Sequence, residues 1–443
     1  MKVSEYFHSV TLNREACHGC ITCVKRCPTE AIRVRGGKAQ IIAERCIDCG
    51  ECIRVCPHHA KLAVTDPLCK IAGYRYKVVL PPPSLFGQYK RQEDLELIRT
   101  ALLELGFDEV YEVAAAAELV SDATRRLLEA GKIKKPVISS ACPAVLRLIR
   151  IRFPQLLENV LPLLPPMEVA ARLAREKAVA ETGLRPEEIC IAFLTPCPAK
   201  VTSIKNPMGT ARSNVDLAIS VSDVYPALLT AMNKCAREGV GPDNSQSGRT
   251  GLSWGNSGGE AAATFTVRYL AADGIENVID VLEQMEDEKL ADQDFVELNA
   301  CPAGCVGGVL NIENPYVAVT RMKHLRDYRP VACNHIQGEI PPEIPWDEAV
   351  EPIRALQLDP SPIKAIEKMR EIEKIEKRLY GLDCGSCGAP SCRALAEDIV
   401  AGYATEDACI YILKQKVEAV RDSMLSLKLE NRDKKGKKDG CGK

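Results

Sequence analysis

Apolar and polar positions divide the chain into stretches of different period. Between about residues 75 and 345, short apolar runs alternate with segments of helical spacing. The runs 77–80 (KVVL), 110–113 (VYEV), 136–139 (PVIS), 189–194 (ICIAFL) and 295–298 (FVEL) are short and rich in β-branched residues, which predicts buried strands. Gln92 to Leu105 has helical apolar spacing and stops at Gly106, a residue suited to a helix C-cap. Strand and helix in alternation predict an α/β domain with mostly parallel sheets, α+β for the whole chain. After Pro341, Pro342 and Pro345 the pattern changes to a charged helix, Ile363 to Leu379, apolar at Ile363, Ile366, Met369, Ile372 and Ile375. Beyond Cys409, the residues Ile410, Leu413, Val417, Val420, Met424 and Leu427 form an a/d seam. It covers fewer than the roughly three heptads that make a coiled coil convincing, so packing on its own domain is expected ahead of a homodimer contact. The Lys- and Gly-rich stretch Asn431 to Lys443 is expected to be a disordered tail. The predicted modules are 1–72, 73–345, 346–430 and the tail 431–443.

A length of 443 residues fits about three domains at ~150 residues each. Lys and Arg number 58 against 60 Asp and Glu, a net charge of −2, with no basic field to attract nucleic acid or anionic lipid. No apolar run approaches the ~18 residues that argue for a membrane span, and Met1 to Val10 lacks the apolar core of a secretory signal. The expected setting is the cytoplasm. The 21 cysteines change the picture most: all but Cys69, Cys190, Cys235, Cys333 and Cys441 fall into tight groups, which points to metal clusters and away from disulfides.

The N-terminal module holds a repeat, Cys17, Cys20, Cys23, Cys27-Pro28 and Cys46, Cys49, Cys52, Cys56-Pro57. In the spacing C-x2-C-x2-C-x3-C-P, three thiolates wrap one 4Fe-4S cubane and the fourth reaches the other cluster. That assigns Cys17, Cys20, Cys23 and Cys56 to one cluster and Cys46, Cys49, Cys52 and Cys27 to a second. Tetrahedral zinc competes for two-residue spacings, but duplicated four-cysteine runs with trailing prolines argue against it. The block resembles bacterial two-cluster ferredoxins. His18 lies inside the first motif, where four thiolates already complete the site, and reads as a surface residue.

Three further groups follow predicted strands: Ser139-Ser140-Ala141-Cys142-Pro143, Thr195-Pro196-Cys197-Pro198-Ala199-Lys200, and Glu297 with Cys301-Pro302-Ala303-Gly304-Cys305-Val306-Gly307-Gly308. Loops at the carboxyl ends of parallel strands converge on one crevice, so four thiols from distant segments can share one metal site. Separate buried cysteines are the alternative; the Gly-rich Cys-x3-Cys turn, which lets backbone approach a bulky group, speaks against it. The three loops resemble, in order and spacing, the signature motifs TSCCPxW, MPCxxKxxE and ExMxCxGGCxxGG of the iron-only (FeFe) hydrogenases. Gly255-Asn256-Ser257-Gly258-Gly259-Glu260-Ala261-Ala262 resembles that family's FGATGGVMEAA segment. The resemblance implies an H-cluster: a 4Fe-4S cubane on Cys142, Cys197, Cys301 and Cys305, with Cys305 bridging to a two-iron subsite carrying CO, cyanide and a dithiolate amine. It implies that Lys200 donates to a cyanide, and that Ala141, Thr195, Pro196 and Gly304 lie against the cofactor. Pro83 and Ser84 resemble a second cyanide-contacting loop, and a Pro-rich turn accounts for them equally.

The departures from the family bear on activity. Where the family has adjacent cysteines, this chain has Ala141 then Cys142, and a methyl group cannot relay a proton as the family's thiol does. Ala123 and Thr124 stand where the family has two glutamates. Thr195 and Asn299 replace methionines, Ala303 a glycine, Ser203 a glutamate and Val145 a tryptophan. The last cysteine group, Cys384, Cys387, Cys392 and Cys409, resembles a small four-cysteine iron-sulfur domain, with zinc as the alternative, and is reminiscent of the family's sensory members. The expected function is a slow hydrogenase that senses H2, interconverting H2 with protons and electrons and passing electrons through 4Fe-4S clusters to a redox or signalling protein partner. Alternatives are a bulk H2-producing or H2-oxidising enzyme with another proton route, and a non-enzymatic iron-sulfur scaffold, against which Lys200 speaks.

Overall fold

A computed structural model describes residues 6–90, 95–241 and 244–438. In chain order the strands are β1 (Val10–Leu12), β2 (Ile32–Arg35), β3 (Lys38–Ile41), β4 (Lys61–Ala63), β5 (Tyr76–Leu80), β6 (Glu109–Val110), β7 (Val137–Ile138), β8 (Ile189–Thr195), β9 (Leu217–Ser220), β10 (Tyr269–Asp273) and β11 (Phe295–Asn299). They belong to two compact units, one of Met1–Asn13 with Ala43–Ala355, the other of Arg14–Ile42 with Leu356–Lys443. No helix among the described residues is long and apolar enough to cross a membrane.

The larger unit is α/β. Its main sheet has the order β6-β5-β8-β9 and a second has β10-β11-β7, with every pairing in both parallel. The alternation of strand side chains supplies two cores. Val79, Ala192, Leu194 and Ile219 face one way and pack with Ile98 and Leu102 of helix Leu95–Glu104 and Leu228 and Met232 of helix Val221–Glu238. Val78, Leu80, Ile191, Phe193 and Ala218 face the other way, against Ala116, Val120 and Ala123 of helix Val113–Ala130 and Ala170 and Ala174 of helix Pro166–Thr182. Burial on both faces explains why β8 reads as a continuous apolar run. Ile138, Val296 and Leu298 of the second sheet form a third core with helices Pro143–Arg152 and Ile275–Glu286. A small antiparallel pair, β1 with β4, completes the unit.

The expected strands at 77–80, 136–139, 189–194 and 295–298 are present within a residue or two. The run 110–113 is different: β6 stops at Val110 and a helix starts at Val113. The buried Glu112 carboxylate between them accepts from Arg99 at 2.7 Å, Ser245 Oγ at 2.8 Å and Ser247 Oγ, which fixes a turn there. The expected helix at 92–105 is seen from Leu95 to Glu104, and Gln92 lies outside the described residues.

In the smaller unit, β2 and β3 form an antiparallel hairpin turned by Gly36 and Gly37, both at positive φ. Val34 N–H donates to Gly388 O at 2.8 Å, and a Cβ on Gly388 would lie 2.1 Å from Val34 O, so only glycine allows this approach. Arg33 Nε and Arg35 Nη2 both donate to Asp398 Oδ2, at 2.8 and 2.5 Å. The core is Ile372, Ile375, Leu379, Leu395, Ala396 and Ile412 with their neighbours. Two expectations fail here. The seam residues Ile410, Leu413, Val417, Val420, Met424 and Leu427 are 46–60% exposed, because Ile412 and Tyr411 take the contact with the core instead. The helix Ile410–Lys438 also extends through 431–438, expected to be disordered; Lys, Arg and Glu are good helix formers once a helix has been started. Residues 439–443 lie outside the described residues.

Arg33 and Asp398 are both buried, so removing one charge strands the other. Asp398→Ala should cost about 3 kcal/mol of local stability, seen as matching losses of amide hydrogen-exchange protection in β2 and in helix Cys392–Val400.

Candidate active site

Parallel strands leave their sheets on one side, and the four loops with candidate chemistry all follow carboxyl ends. β5 leads to Pro81-Pro82-Pro83-Ser84, β7 to Ser139–Cys142, β8 to Pro196-Cys197 and β11 to Cys301–Cys305. Helices start at once after two of the cysteines, at Pro143 and Pro198, each proline occupying a first-turn position where no amide donor is needed. The last loop turns through Ala303 at φ 61° and Gly304 at φ 86°. A Cβ on Gly304 would lie 2.5 Å from Ser257 N, so the loop packs backbone to backbone. Asn311 Nδ2 holds it from behind, donating to Cys305 O at 2.8 Å.

The sulfurs of Cys142, Cys197, Cys301 and Cys305 lie close enough to influence one another's ionisation. Burial raises Cys142 and Cys301 above the ordinary thiol range and pushes Cys197 up to about 11. Lys200 lies part-buried beside them, with Nζ 3.5 Å from Cys305 Sγ. Its burial disfavours the ammonium, but the Cys305, Cys197 and Cys142 sulfurs outweigh that and raise its pKa. Thr195 braces the second loop: its Oγ1 donates to Cys197 O at 2.9 Å and accepts from Cys197 N–H at 3.3 Å.

Beside the sulfurs of Cys142 and Cys305 lies a cavity. Its wall includes Pro83, Ser84, Ala141, Cys142, Pro196, Lys200, Cys305, Glu260 and Glu297. Ser84 Oγ is buried and has no hydrogen-bond partner. Ala141 presents only a methyl group. Ala123 and Thr124 are fully buried, and the Thr124 hydroxyl is spent on Val120 O at 2.8 Å. Ser203 donates to Lys200 O, and Val145 is buried in the third core.

Sequence reasoning missed the carboxyl pair on the cavity wall. Glu260 Oε2 accepts from Ser139 Oγ at 2.6 Å, and Ser139 Oγ accepts in turn from Ala141 N–H at 3.1 Å. Glu297 accepts from Asn299 Nδ2 at 2.7 Å and from the amides of Gly258 and Ala261 at 3.0 and 2.8 Å. Burial raises the pKa of both, and their mutual repulsion adds to the rise at Glu260. Both lay inside quoted motifs; what hid them was their pairing across 37 residues of sequence.

The N-terminal repeats share local geometry. Ala31 N–H donates to Cys27 Sγ at 3.2 Å and Ala60 N–H to Cys56 Sγ at 3.3 Å, and Glu30 and His59 before them both take positive φ. Cys17 Sγ accepts from Ala39 N–H at 3.5 Å. Cys46, Cys49 and Cys52 lie in the larger unit, at the start of and just before the short helix Glu51–Arg54. A second missed group adjoins them: His8 Nδ1 is 2.7 Å from Asp48 Oδ2, and Cys46 Sγ lies within 4.8 Å of both side chains. Arg147 Nε donates to Cys46 O at 2.7 Å, and Arg54 Nη2 to Gly307 O at 2.7 Å, tying this segment to the helix after Cys142 and the loop after Cys305. His18 is exposed. In the smaller unit, Cys384 and Cys409 act on the ionisation of Cys387, which burial raises, while bonds from Ser386 lower Cys384. Cys392 opens helix Cys392–Val400, its amide donating to Asp383 Oδ1 at 2.5 Å.

Cys142, Cys305 and Lys200 on loops of parallel strands meet at one cavity, an arrangement suited to an iron-sulfur oxidoreductase centre. Residues 78–309 match the family of the iron only hydrogenase large subunit, C-terminal domain, and the chain belongs to that family. Residues 9–57 match a 4Fe-4S dicluster domain, and residues 379–411 an Fe-S cluster family. Among curated proteins the chain is similar to the NADP-reducing hydrogenase subunit HndD of Solidesulfovibrio fructosivorans, 23% identical over 327 residues, 59% of this chain and 55% of that one. It is also similar to iron hydrogenase 1 of Clostridium pasteurianum, 24% identical over 115 residues, 25% of this chain and 20% of that one. The chain thus spans about half the length of the first relative and less of the second. A solved variant of FeFe-hydrogenase HydA1 from Chlamydomonas reinhardtii has a TM-score of 0.46 and 17% identity, covering 59% of this chain and 88% of that one.

The raised pKa of the carboxyl pair has a thermodynamic signature. The folded chain keeps a proton that the unfolded chain has released once pH exceeds about 4.5, so stability falls as pH rises above the ordinary carboxyl range, by about 1.4 kcal/mol per pH unit per retained proton. Glu260→Gln should flatten that slope in denaturant titrations from pH 5 to 7.

Proposed function

We propose that the chain is a low-turnover FeFe hydrogenase that senses H2. The observation that carries this reading is the cavity itself, lined by Cys142, Cys305 and Lys200, while the position of the family's proton-relaying thiol carries the methyl group of Ala141. The donor set fits an H-cluster. Cys142, Cys197, Cys301 and Cys305 would hold a 4Fe-4S cubane, Cys305 faces the cavity for a shared two-iron subsite, and Lys200 and the unpartnered Ser84 hydroxyl are donors suited to anionic ligands such as cyanide. Burial of a lysine beside sulfurs makes sense only with anionic charge to pair it, which disfavours a bare scaffold. When bound, this group supplies the interconversion of H2 with protons and electrons.

The protein's own residues then do three things. Cys305 and Lys200 would orient the group, Pro83, Pro196 and Gly255 line the cavity around it, and Glu260 would supply an acid-base group where Ala141 offers none. Protons would pass by Glu260, held by Ser139, with Glu297 as its neighbour. That carboxyl pair is the observation favouring the second reading, a bulk H2-converting enzyme with another proton route.

Electron flow would use the 4Fe-4S clusters of the N-terminal repeats, with ligand sets Cys17, Cys20, Cys23, Cys56 and Cys46, Cys49, Cys52, Cys27, and a further cluster on Cys384, Cys387, Cys392 and Cys409. A separate redox or signalling protein would receive the electrons. The module boundaries 1–72, 73–345 and 346–430 follow these motifs, and a cytoplasmic setting suits reduced clusters.

The deciding experiment is an anaerobic infrared spectrum of the protein matured with its two-iron subsite, before and after H2. CO and cyanide bands that shift under H2 while turnover stays low support the sensor; a matured protein without such bands sinks the hydrogenase reading. Ala141→Cys should raise turnover by about 10²-fold, and Glu260→Gln should lower it by about as much. A loss at Glu260→Gln with no gain at Ala141→Cys would favour the bulk enzyme.

A further inference from the structure

We propose that the exposed seam of helix Ile410–Lys438 is the docking face for an acidic amphipathic helix of a separate protein. The seam places Ile410, Val417 and Met424 at a positions and Leu413, Val420 and Leu427 at d positions, all 46–60% exposed. Six large apolar side chains in one stripe over five helical turns are more than scattered surface residues account for. The spacing is that of a helix partner, because knobs at a and d fit the holes of a facing helix and nothing else repeats at 3.5 residues.

The flanks specify the partner's charge. The e positions are Lys414, Arg421 and Lys428, and the g positions through the same stretch are Lys416 and Ser423. The third g position is Glu430, so four of the six flanking positions are basic and one is acidic. The acidic neighbours Glu418 and Asp422 lie at b and f, outside the seam, where they reach Lys414 at 4.0 Å and Arg421 at 2.9 Å. Asp407, before the helix, pairs with Lys416.

A second copy of this chain is a poor occupant. In a parallel pair, Lys416 of one helix would face Arg421 of the other. In an antiparallel pair, Lys414, Arg421 and Lys428 would face one another. Either orientation sets like charges along the seam, and e and g charges are what choose partner and orientation in such pairs. A helix with Glu or Asp at e and g meets Lys414, Lys416, Arg421 and Lys428 with opposite charge, four of the six positions that flank the stripe. The inference concerns how a signal leaves the protein and stands apart from the chemistry proposed for the active site.

The test uses the full chain, purified and loaded anaerobically, and two labelled synthetic helical peptides of about three heptads. Both carry Ile at a and Leu at d; one has Glu and the other Lys at every e and g. Fluorescence anisotropy should show the Glu peptide binding about tenfold or more tighter than the Lys peptide, with the difference shrinking in high salt. Val420→Glu should abolish binding. The triple variant Lys414→Glu, Arg421→Glu, Lys428→Glu should reverse the preference; these side chains are exposed, and circular dichroism reports that the helix persists. Sedimentation velocity should show a monomer at micromolar concentration. Equal affinity for the two peptides, or binding of neither, overturns the proposal. A dimer dissolved by Val420→Glu assigns the seam to a second copy and overturns it equally.

Discussion

Parallel pairing is the constraint on which the rest of the larger unit depends. Because β5, β7, β8 and β11 lie in all-parallel sheets, their following loops emerge at carboxyl ends, and residues as far apart as Ser84, Cys142, Pro196 and Cys305 reach one cavity. Strands buried on both faces hold those loop origins still. A site assembled this way needs no long-range side-chain scaffold; it needs the strand register to be right, and the buried run from Ile189 to Thr195 sets it from both sides, against Tyr76–Leu80 and Leu217–Ser220.

The chemistry at the cavity is a balance between burial and charge. Thiols alone would stay protonated there, and an ammonium alone would be expelled or neutralised. The sulfurs favour the Lys200 ammonium against its burial, which ties the geometry of Cys305 to that of a residue 105 positions away. The carboxyl pair Glu260 and Glu297 obeys the opposite rule: burial and mutual repulsion favour keeping a proton on the pair. One wall of the cavity thus stores positive charge and another stores a proton.

What could be read from the sequence follows from range. The buried strands at 77–80, 136–139, 189–194 and 295–298 are local patterns, and they appear where expected. The run Val110–Val113 was ambiguous because four residues do not separate a short strand from the start of an Ala-rich helix, and the outcome was set by Glu112 meeting Arg99, Ser245 and Ser247, contacts no local pattern encodes. The pairing of His8 with Asp48 and of Glu260 with Glu297 was invisible for the same reason. The seam of the last helix was legible as a pattern, but which neighbour it meets was not: two residues, Tyr411 and Ile412, were enough to anchor the helix and leave the stripe uncovered.

The two halves of the cysteine repeat carry the same amide-to-sulfur bonds at Ala31 and Ala60, yet packing divides them: Arg14–Ile42 goes with Leu356–Lys443, and Ala43 onward with the large unit. A duplicated motif is ordinarily a matched pair, wearing equally. Here one half is stitched through Val34, Arg33 and Arg35 to Gly388 and Asp398 and shares the fate of the C-terminal residues. A truncation after residue 355 would therefore not trim an appendage; it would strip the inner lining from half of the N-terminal module, and the twin repeats would cease to age alike.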